Sequence, residues 1–210
     1  MEEKINYQKN LIKTLDLLEK IGKKPRLLLH ACCGCCLTIP LKQLEPYFDV
    51  TIFYNNSNIY PASEYHRRFE ELKRYIKEIN SPSKVVEMPY DNDSFTNDLL
   101  PLKDEREGGR RCKLCFEKRL EPGFEYASKN GFEYFCTVMT ISRYKNSQVL
   151  NQLGNELATK YPTVKWLEAD FKKNDGYQKS LEIVREHNMY FQQYCGCKFS
   201  YEAYLSKIKG

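Results

Sequence analysis

Residues 26–36 read R-L-L-L-H-A-C-C-G-C-C, and this stretch decides the fold. Leu27, Leu28 and Leu29 follow one another without the alternation of a half-exposed strand. An uninterrupted apolar run of this length is the pattern of a strand covered on both faces, as in a parallel sheet. The run ends at His30 and passes at once into Cys32, Cys33, Cys35 and Cys36. Ligands of open parallel sheets bind beyond the carboxyl ends of the strands. A thiol-rich loop directly after the first strand therefore stands where a site belongs.

Working outward, the same alternation continues. Leu11, Ile12, Leu15, Leu18 and Ile21 recur at three and four residues and predict an amphipathic helix over 7–22. Further strands are expected at 49–54, 84–90, 132–140 and 164–171. Helices are expected at 38–45, at 63–79 with Ser63 as N-cap, from Cys112 to about 129, and at 145–160, 175–188 and 199–208. Strands alternating with helices imply a Rossmann-like α/β fold, three layers with a parallel sheet in the middle. The chain reads as one domain over 1–210: an N-terminal helical extension at 1–25, a sheet core at 26–175 and a helical C-terminal segment at 176–210. The Asn56 loop follows the second strand, Asp91 the third, and Thr140–Ser142 the fourth, so four segments point at one sheet edge. No internal repeat or low-complexity tract interrupts the pattern.

Composition narrows the class. Nine cysteines in 210 residues fall well short of the roughly 8–10% of a small disulfide scaffold. The charged N-terminus is not that of a signal peptide, and no apolar run reaches the about 18 residues of a membrane span. A soluble cytoplasmic protein is expected, where clustered thiols point to metal or redox chemistry before structural disulfides. The net charge of +5 is mild, yet basic residues gather at Arg67, Arg68, Lys73, Arg74 and Lys77, and again at Lys103, Arg106, Arg110, Arg111, Lys113, Lys118 and Arg119. RNA is a plausible partner for such runs, and solvated helix faces with interleaved acids are the plainer reading.

The cysteines carry the chemistry. Cys112-Lys-Leu-Cys115 is expected at a helix N-terminus, where the dipole favours thiolate. Zinc, thioredoxin-like redox and iron–sulfur roles all use C-x-x-C, and a second cysteine group at a strand end favours a metal. Cys32, Cys33, Cys35 and Cys36 oversupply a single zinc. Two thiolates from this loop with Cys112 and Cys115 would complete the four-cysteine shell of a [4Fe–4S] cluster. Cys35 is read as an ordinary small apolar residue, and Cys136 as core. Cys195-Gly196-Cys197 can close only a small strained ring, which suits a labile two-electron dithiol or a pair holding a second metal. His30, at the strand end, either tunes the site or fills a core position, and His66 and His187 fall on helix surfaces.

Taken together, H-A-C-C-G-C-C (30–36), N-S-N-I-Y-P (56–61) followed by E-Y-H-R-R (64–68), E-G-G-R-R-C-K-L-C-F-E-K-R-L (107–120), T-I-S-R-Y-K-N (140–146) and Q-Y-C-G-C-K-F-S (193–200) resemble the cobalamin-independent epoxyqueuosine reductases, the QueH family. The resemblance runs from about His30 to Ser200. It implies reduction of the epoxide of epoxyqueuosine at the tRNA wobble position, the last step of queuosine biosynthesis, with an electron donor that is unidentified. It implies a [4Fe–4S] cluster on Cys32, Cys33, Cys112 and Cys115 and a redox-active pair at Cys195 and Cys197. It also implies room for an additional mononuclear iron, for which Cys36, Asp91, Cys195 and Cys197 are candidates. The fold it implies is that of the nucleotide α-hydrolases and ATP pyrophosphatases. Cys35, where the family usually has proline, Ser57, where proline is common, and Phe191, where arginine is frequent, depart from the pattern. None removes an expected ligand. Proton donors consistent with the chemistry are Tyr194, Asp91 or water.

Three other readings compete. An ATP pyrophosphatase-like tRNA-modifying enzyme needs an S-G-G-x-D-S loop after the first strand, and Ala-Cys-Cys-Gly-Cys-Cys stands there instead. A zinc-stabilised tRNA-binding module would be colourless. A heterodisulfide reductase-like subunit would share Cys32-Cys33-Gly34 but not the β/α alternation or the C-G-C end.

Overall fold

The computed structural model describes residues 4–209. Five strands, β1 (Arg26–His30), β2 (Asp49–Tyr54), β3 (Lys84–Glu87), β4 (Tyr134–Thr137) and β5 (Lys165–Trp166), pair in parallel in the order β3-β2-β1-β4-β5. This is the order of a doubly wound sheet, and its direction reverses between β1 and β4. β1 is central, with Leu27, Leu28 and Leu29 all fully buried. The crevice at the switch point opens at its end, where the cysteines begin.

Among the described residues eight α-helices accompany the sheet: α1 (Tyr7–Ile21), α2 (Gly34–Leu44), α3 (Ala62–Glu78), α4 (Asn92–Leu99), α5 (Arg110–Lys129), α6 (Ser147–Ala158), α7 (Gly176–Glu186) and α8 (Lys198–Lys209). Side-chain alternation along the strands divides the core into two layers. Leu27, Leu29, Val50, Ile52 and Tyr54 pack under α1, α2, α3 and α7. Leu28, Phe53 and Phe135 pack under α5 and α6.

Several elements differ from the sequence expectation, each for a local reason. α2 begins at Gly34, not 38, so Cys35 and Cys36 lie in a helical turn. Gly34 keeps this turn close to its neighbours: a Cβ would come within 2.9 Å of the mobile end of Met189 and 3.3 Å of the Glu71 carbonyl oxygen. Pro61, not Ser63, is the residue at the N-cap of α3. α5 starts at Arg110, two residues before Cys112. α4 was not expected; Asp91 caps it by accepting the Ser94 N–H at 3.0 Å, and Phe95 and Leu99 face inward four residues apart.

Strands β3, β4 and β5 are shorter than their apolar runs. After β4 the hydroxyl of Thr137 accepts the Met139 N–H at 3.2 Å and turns the chain into a 3₁₀ segment, Val138–Ile141, that is still buried. Beyond β5, Asn151 takes the place of a neighbouring strand, accepting from Ala169 N at 3.2 Å and donating to Ala169 O at 2.9 Å. Leu167, Ala169 and Phe171 stay buried without belonging to the sheet, so their strand-like alternation extends β5 falsely. No described helix is long and apolar enough to cross a membrane.

Candidate metal and redox centre

The loop after β1 is held from three sides. Asn56, in the loop after β2, donates to the Ala31 carbonyl at 2.8 Å and accepts from Arg119 Nη2 at 2.8 Å. Asn55 donates to the Arg119 carbonyl at 3.2 Å. His30 is fully buried; its Nε2 donates to the Asn55 carbonyl at 3.3 Å, which leaves Nδ1 to accept the Thr137 hydroxyl at 2.8 Å. Burial, reinforced by the Arg119 charge, pushes its pKa well below the usual histidine range. His30 is therefore a neutral strut joining β1, β2 and β4. His66 is exposed, and His187 pairs through Nδ1 with Glu78 at 2.7 Å.

The thiols form two groups. Cys32, Cys33 and Cys36 offer sulfurs that all lie within 4.8 Å of one another, and all three are buried. Cys35 lies against them, 3.5 Å from Cys33 Sγ, and donates to Gln192 Oε1 at 2.8 Å. Gln192 in turn donates from Nε2 to Cys36 Sγ at 3.7 Å. Cys35 is thus more than filler: it ties the cluster to the segment before Cys195. Without metal Cys32, Cys35 and Cys36 hold their protons. Hydrogen bonding to Cys33 raises Cys32 and Cys35, and hydrogen bonding to Cys32 raises Cys36, with burial adding to each. Cys136 is separate, 1% exposed in the core and pushed up to about 12 by burial.

The second group is Cys112 and Cys115 on α5 with Cys195 and Cys197, which together line a small cavity of about 80 Å³. The helix N-terminus was expected to favour thiolate here, but burial dominates. It raises Cys112 against the opposing Gly108 N–H, 3.2 Å from Cys112 Sγ, and pushes Cys115 up to about 12 against the nearby Arg119 charge.

A larger cavity of about 320 Å³ adjoins the first group. Cys32, Cys35 and Cys36 lie on one side of it, with Arg68, Gln192, Tyr194 and Cys195 also in its wall. Cys195 lines both cavities, and so do Glu107, Tyr144 and Lys145. The expected cluster ligands thus fall in two groups, Cys32 and Cys33 in the first and Cys112 and Cys115 in the second, with Cys195 in the wall of both cavities.

The Cys195-Gly196-Cys197 segment is fixed by its backbone. Gly196 has φ +124°, outside the range of ordinary L-residues, and a Cβ on it would come within 3.0 Å of Arg68 Nη1. Its carbonyl accepts the Tyr60 N–H at 2.7 Å. Cys197 Sγ accepts the Ser200 N–H at 3.4 Å at the start of α8. Arg68, 1% exposed, donates to the carbonyls of Tyr194 at 3.1 Å and Cys195 at 3.2 Å and pairs with Glu64 at 2.7 Å. The sequence placed Arg68 in a basic run. The Glu64–Arg68 spacing of four on a helix was the available signal that it is instead an internal clamp.

Two expected proton donors are engaged elsewhere. Asp91 is an exposed helix cap, and the Tyr194 hydroxyl donates to the Tyr60 carbonyl at 2.6 Å. Lys145 was named only within a motif, yet it lines both cavities. Burial opposes its charge, but Cys195, Cys32 and Cys36 outweigh this and raise its pKa.

The donor chemistry fits an iron–sulfur group. The thiols are soft ligands at a water-poor sheet edge. Beside them Arg119 is 1% exposed, and its Nε has no hydrogen-bond partner. A buried guanidinium N–H without an acceptor is costly, and a sulfur-rich anion is the kind of acceptor it lacks.

A parallel α/β protein with thiols able to hold metal at the switch point of its sheet belongs, in kind, with redox enzymes. Comparison with known proteins is specific. The family model described as epoxyqueuosine reductase QueH matches residues 27–203. Epoxyqueuosine reductase QueH of Streptococcus pyogenes is 37% identical over 99% of this chain and 81% of its own length. That of Staphylococcus epidermidis is 40% identical over 94% and 85%, and that of Thermotoga maritima 31% identical over 82% and 88%. The chain belongs to the QueH epoxyqueuosine reductase family, and it is an oxidoreductase. Among solved structures, an NH3-dependent NAD synthetase from Campylobacter jejuni is similar over 87% of this chain and 86% of that one, at 14% identity and a TM-score of 0.36, a likeness too loose to define the fold.

Proposed function

We propose that the chain is a cytoplasmic, iron–sulfur-dependent enzyme that reduces the epoxide of epoxyqueuosine at the wobble position of tRNA to give queuosine. The observation that carries this reading is Cys195, common to the cavities of both thiol groups, with a space of about 320 Å³ opening beside it. That volume lies at the lower end of the about 300–1,000 Å³ typical of small-molecule sites and suits one nucleoside.

Turning an epoxide into an alkene breaks both C–O bonds and forms a C=C bond. It consumes two electrons and two protons, and the oxygen departs as water. Cys32, Cys33, Cys112 and Cys115 are the residues that would hold a [4Fe–4S] cluster, with Cys36 beside them as a further thiol for an additional iron. Bound there, such a cluster supplies electrons singly, and an iron supplies Lewis acidity. Cys195 and Cys197 act as a dithiol; oxidation to the disulfide releases two electrons and two protons, the amounts the epoxide takes up. A separate electron donor restores the dithiol. Lys145 holds positive charge beside these sulfurs, and Gln192 fixes Cys35 and Cys36 on the cavity wall.

The test is a strain that makes epoxyqueuosine and lacks any epoxyqueuosine reductase. Expressing this chain should convert tRNA epoxyqueuosine to queuosine, read by nucleoside mass spectrometry. Persistence of epoxyqueuosine despite folded, iron-loaded protein would overturn the proposal.

A further inference from the structure

Tyr144 is 78% exposed, more than any other large hydrophobic side chain among the described residues, and it stands where the two cavities meet. Its backbone is set, with its N–H donating to Ser142 Oγ at 3.3 Å. Beside it the Arg143 guanidinium lies 4.7 Å from the ring centroid of Tyr177 and 5.9 Å from that of Tyr144. Tyr177 on α7 and Lys207 on α8 line the larger cavity. The mouth therefore alternates aromatic faces and cations.

Of the twelve basic residues in the two runs of the sequence, seven are buried or ion-paired, and Arg67, Lys77, Lys103, Arg106 and Lys113 are exposed and enter no ion pair among the described residues. Arg68, Arg111 and Arg119 are buried. Lys73 pairs with Glu70, Arg74 with Glu71 and Glu78, Arg110 with Glu105 and Lys118 with Asp98. Among the described residues, Arg143 and Lys207 are likewise exposed and enter no ion pair, and their place sets them apart: Lys207 lines the larger cavity, and Arg143 lies over Tyr177, which lines it too. Free cations interleaved with an exposed ring are the footprint of single-stranded nucleic acid, whose bases stack on aromatics while phosphates meet arginine and lysine.

We propose that Arg143, Tyr144 and Tyr177, with Lys207, form the platform that holds the RNA strand flanking the reacting nucleoside. Tyr144 stacks on the neighbouring base, and Arg143 and Lys207 take the adjoining phosphates. The inference rests on the reading of the cavity as the place of a tRNA nucleoside. An enzyme acting on a base draws it out of its stack, which bares the face of the next base. A tyrosine ring at the cavity mouth covers that face. Stacking accepts any base, so this platform fixes the position of the strand, while the cavity recognises the nucleoside.

The test measures binding of a fluorescent anticodon stem-loop RNA, with ordinary guanosine at the wobble position, to anaerobically prepared iron-loaded protein. Tyr144→Ala should weaken binding about tenfold, the size of one lost aromatic–base stack, with the salt dependence unchanged. Tyr144→Trp should keep affinity within about twofold, since it keeps a stacking face. Arg143→Gln should reduce the salt slope by about one contact, and the double substitution Lys73→Gln, Lys77→Gln in the first basic run should change neither quantity. Tyr144→Ala binding like wild type, Tyr144→Trp binding as weakly as the alanine variant, wild-type protein failing to bind the stem-loop, or the double variant losing as much as Arg143→Gln would overturn the platform. Wild-type protein that binds the stem-loop through Tyr144 but leaves epoxyqueuosine in tRNA unreduced would instead overturn the functional reading.

Discussion

Arg68, on the third helix, donates to the carbonyl of Cys195 at 3.2 Å, joining residues 127 positions apart. The same guanidinium holds Tyr194 O at 3.1 Å and Glu64 at 2.7 Å, and the Tyr190 hydroxyl donates to Glu64 at 2.9 Å. A buried ion pair thus carries the Cys195–Cys197 segment on the sheet layer that also holds Cys32 and Cys33. Arg68→Ala leaves Glu64 buried without its partner and should cost about 3–5 kcal/mol of stability, read by denaturant unfolding. Arg68→Lys keeps the charge but cannot serve three acceptors in a planar fork. It should fold, lose most reductase activity, and show faster amide exchange at 194–197.

Gly196→Ala tests the backbone of the same segment. A residue with a Cβ at φ +124° is strained by about 1–3 kcal/mol, and the methyl would press on Arg68. The variant should unfold at lower denaturant and lose activity more than iron, because the strain falls at Cys195 and Cys197 and not at Cys32 or Cys33. Unchanged activity would show that the glycine is not needed to place the pair.

Cys136 separates core thiols from site thiols. Cys136→Ala should cost about 1 kcal/mol, the loss of a small buried group, with iron content and activity retained. Cys112→Ser, by contrast, should lose iron with little change in secondary structure. The pair of measurements, iron per chain and circular dichroism, distinguishes them.

Acid sensitivity follows from Glu71. Its hydrogen bond to Arg74 holds the carboxyl below its ordinary value of 4.5, helped by the Tyr190 N–H at 3.0 Å. A depressed folded pKa means that the stabilisation is complete above that ordinary value and disappears as pH falls through the lowered one. Unfolding measured from pH 7 down to about 3 should show wild type losing stability with acid more steeply than Glu71→Gln. Identical slopes would remove Glu71 from the account.

The element order, the buried first strand and the convergence on one sheet edge were legible because parallel strands are continuous apolar runs and their carboxyl ends carry the polar loops. Strand ends were less so. Residues 167–171, Leu-Glu-Ala-Asp-Phe, alternate like a strand yet are held by the Asn151 side chain, a long-range contact that no local pattern records. α4 went unread because its apolar face is only Phe95 and Leu99 within a polar stretch. The cysteines of the site were recognisable from spacing and resemblance. Their sorting into two groups, with Cys195 in the wall of both cavities, was not, since it depends on how α5 and the segment before α8 meet across the fold. Charge misled most: Arg68 and Arg119 stood in runs that looked like RNA-binding surface, and burial makes them internal struts.

The most direct measurement mixes anaerobically prepared, chemically prereduced protein with tRNA carrying epoxyqueuosine and scores queuosine by mass spectrometry in a single turnover, alongside the same protein stripped of iron. The account predicts queuosine from the iron-loaded protein and none from the stripped one. Equal conversion by iron-free protein would contradict it.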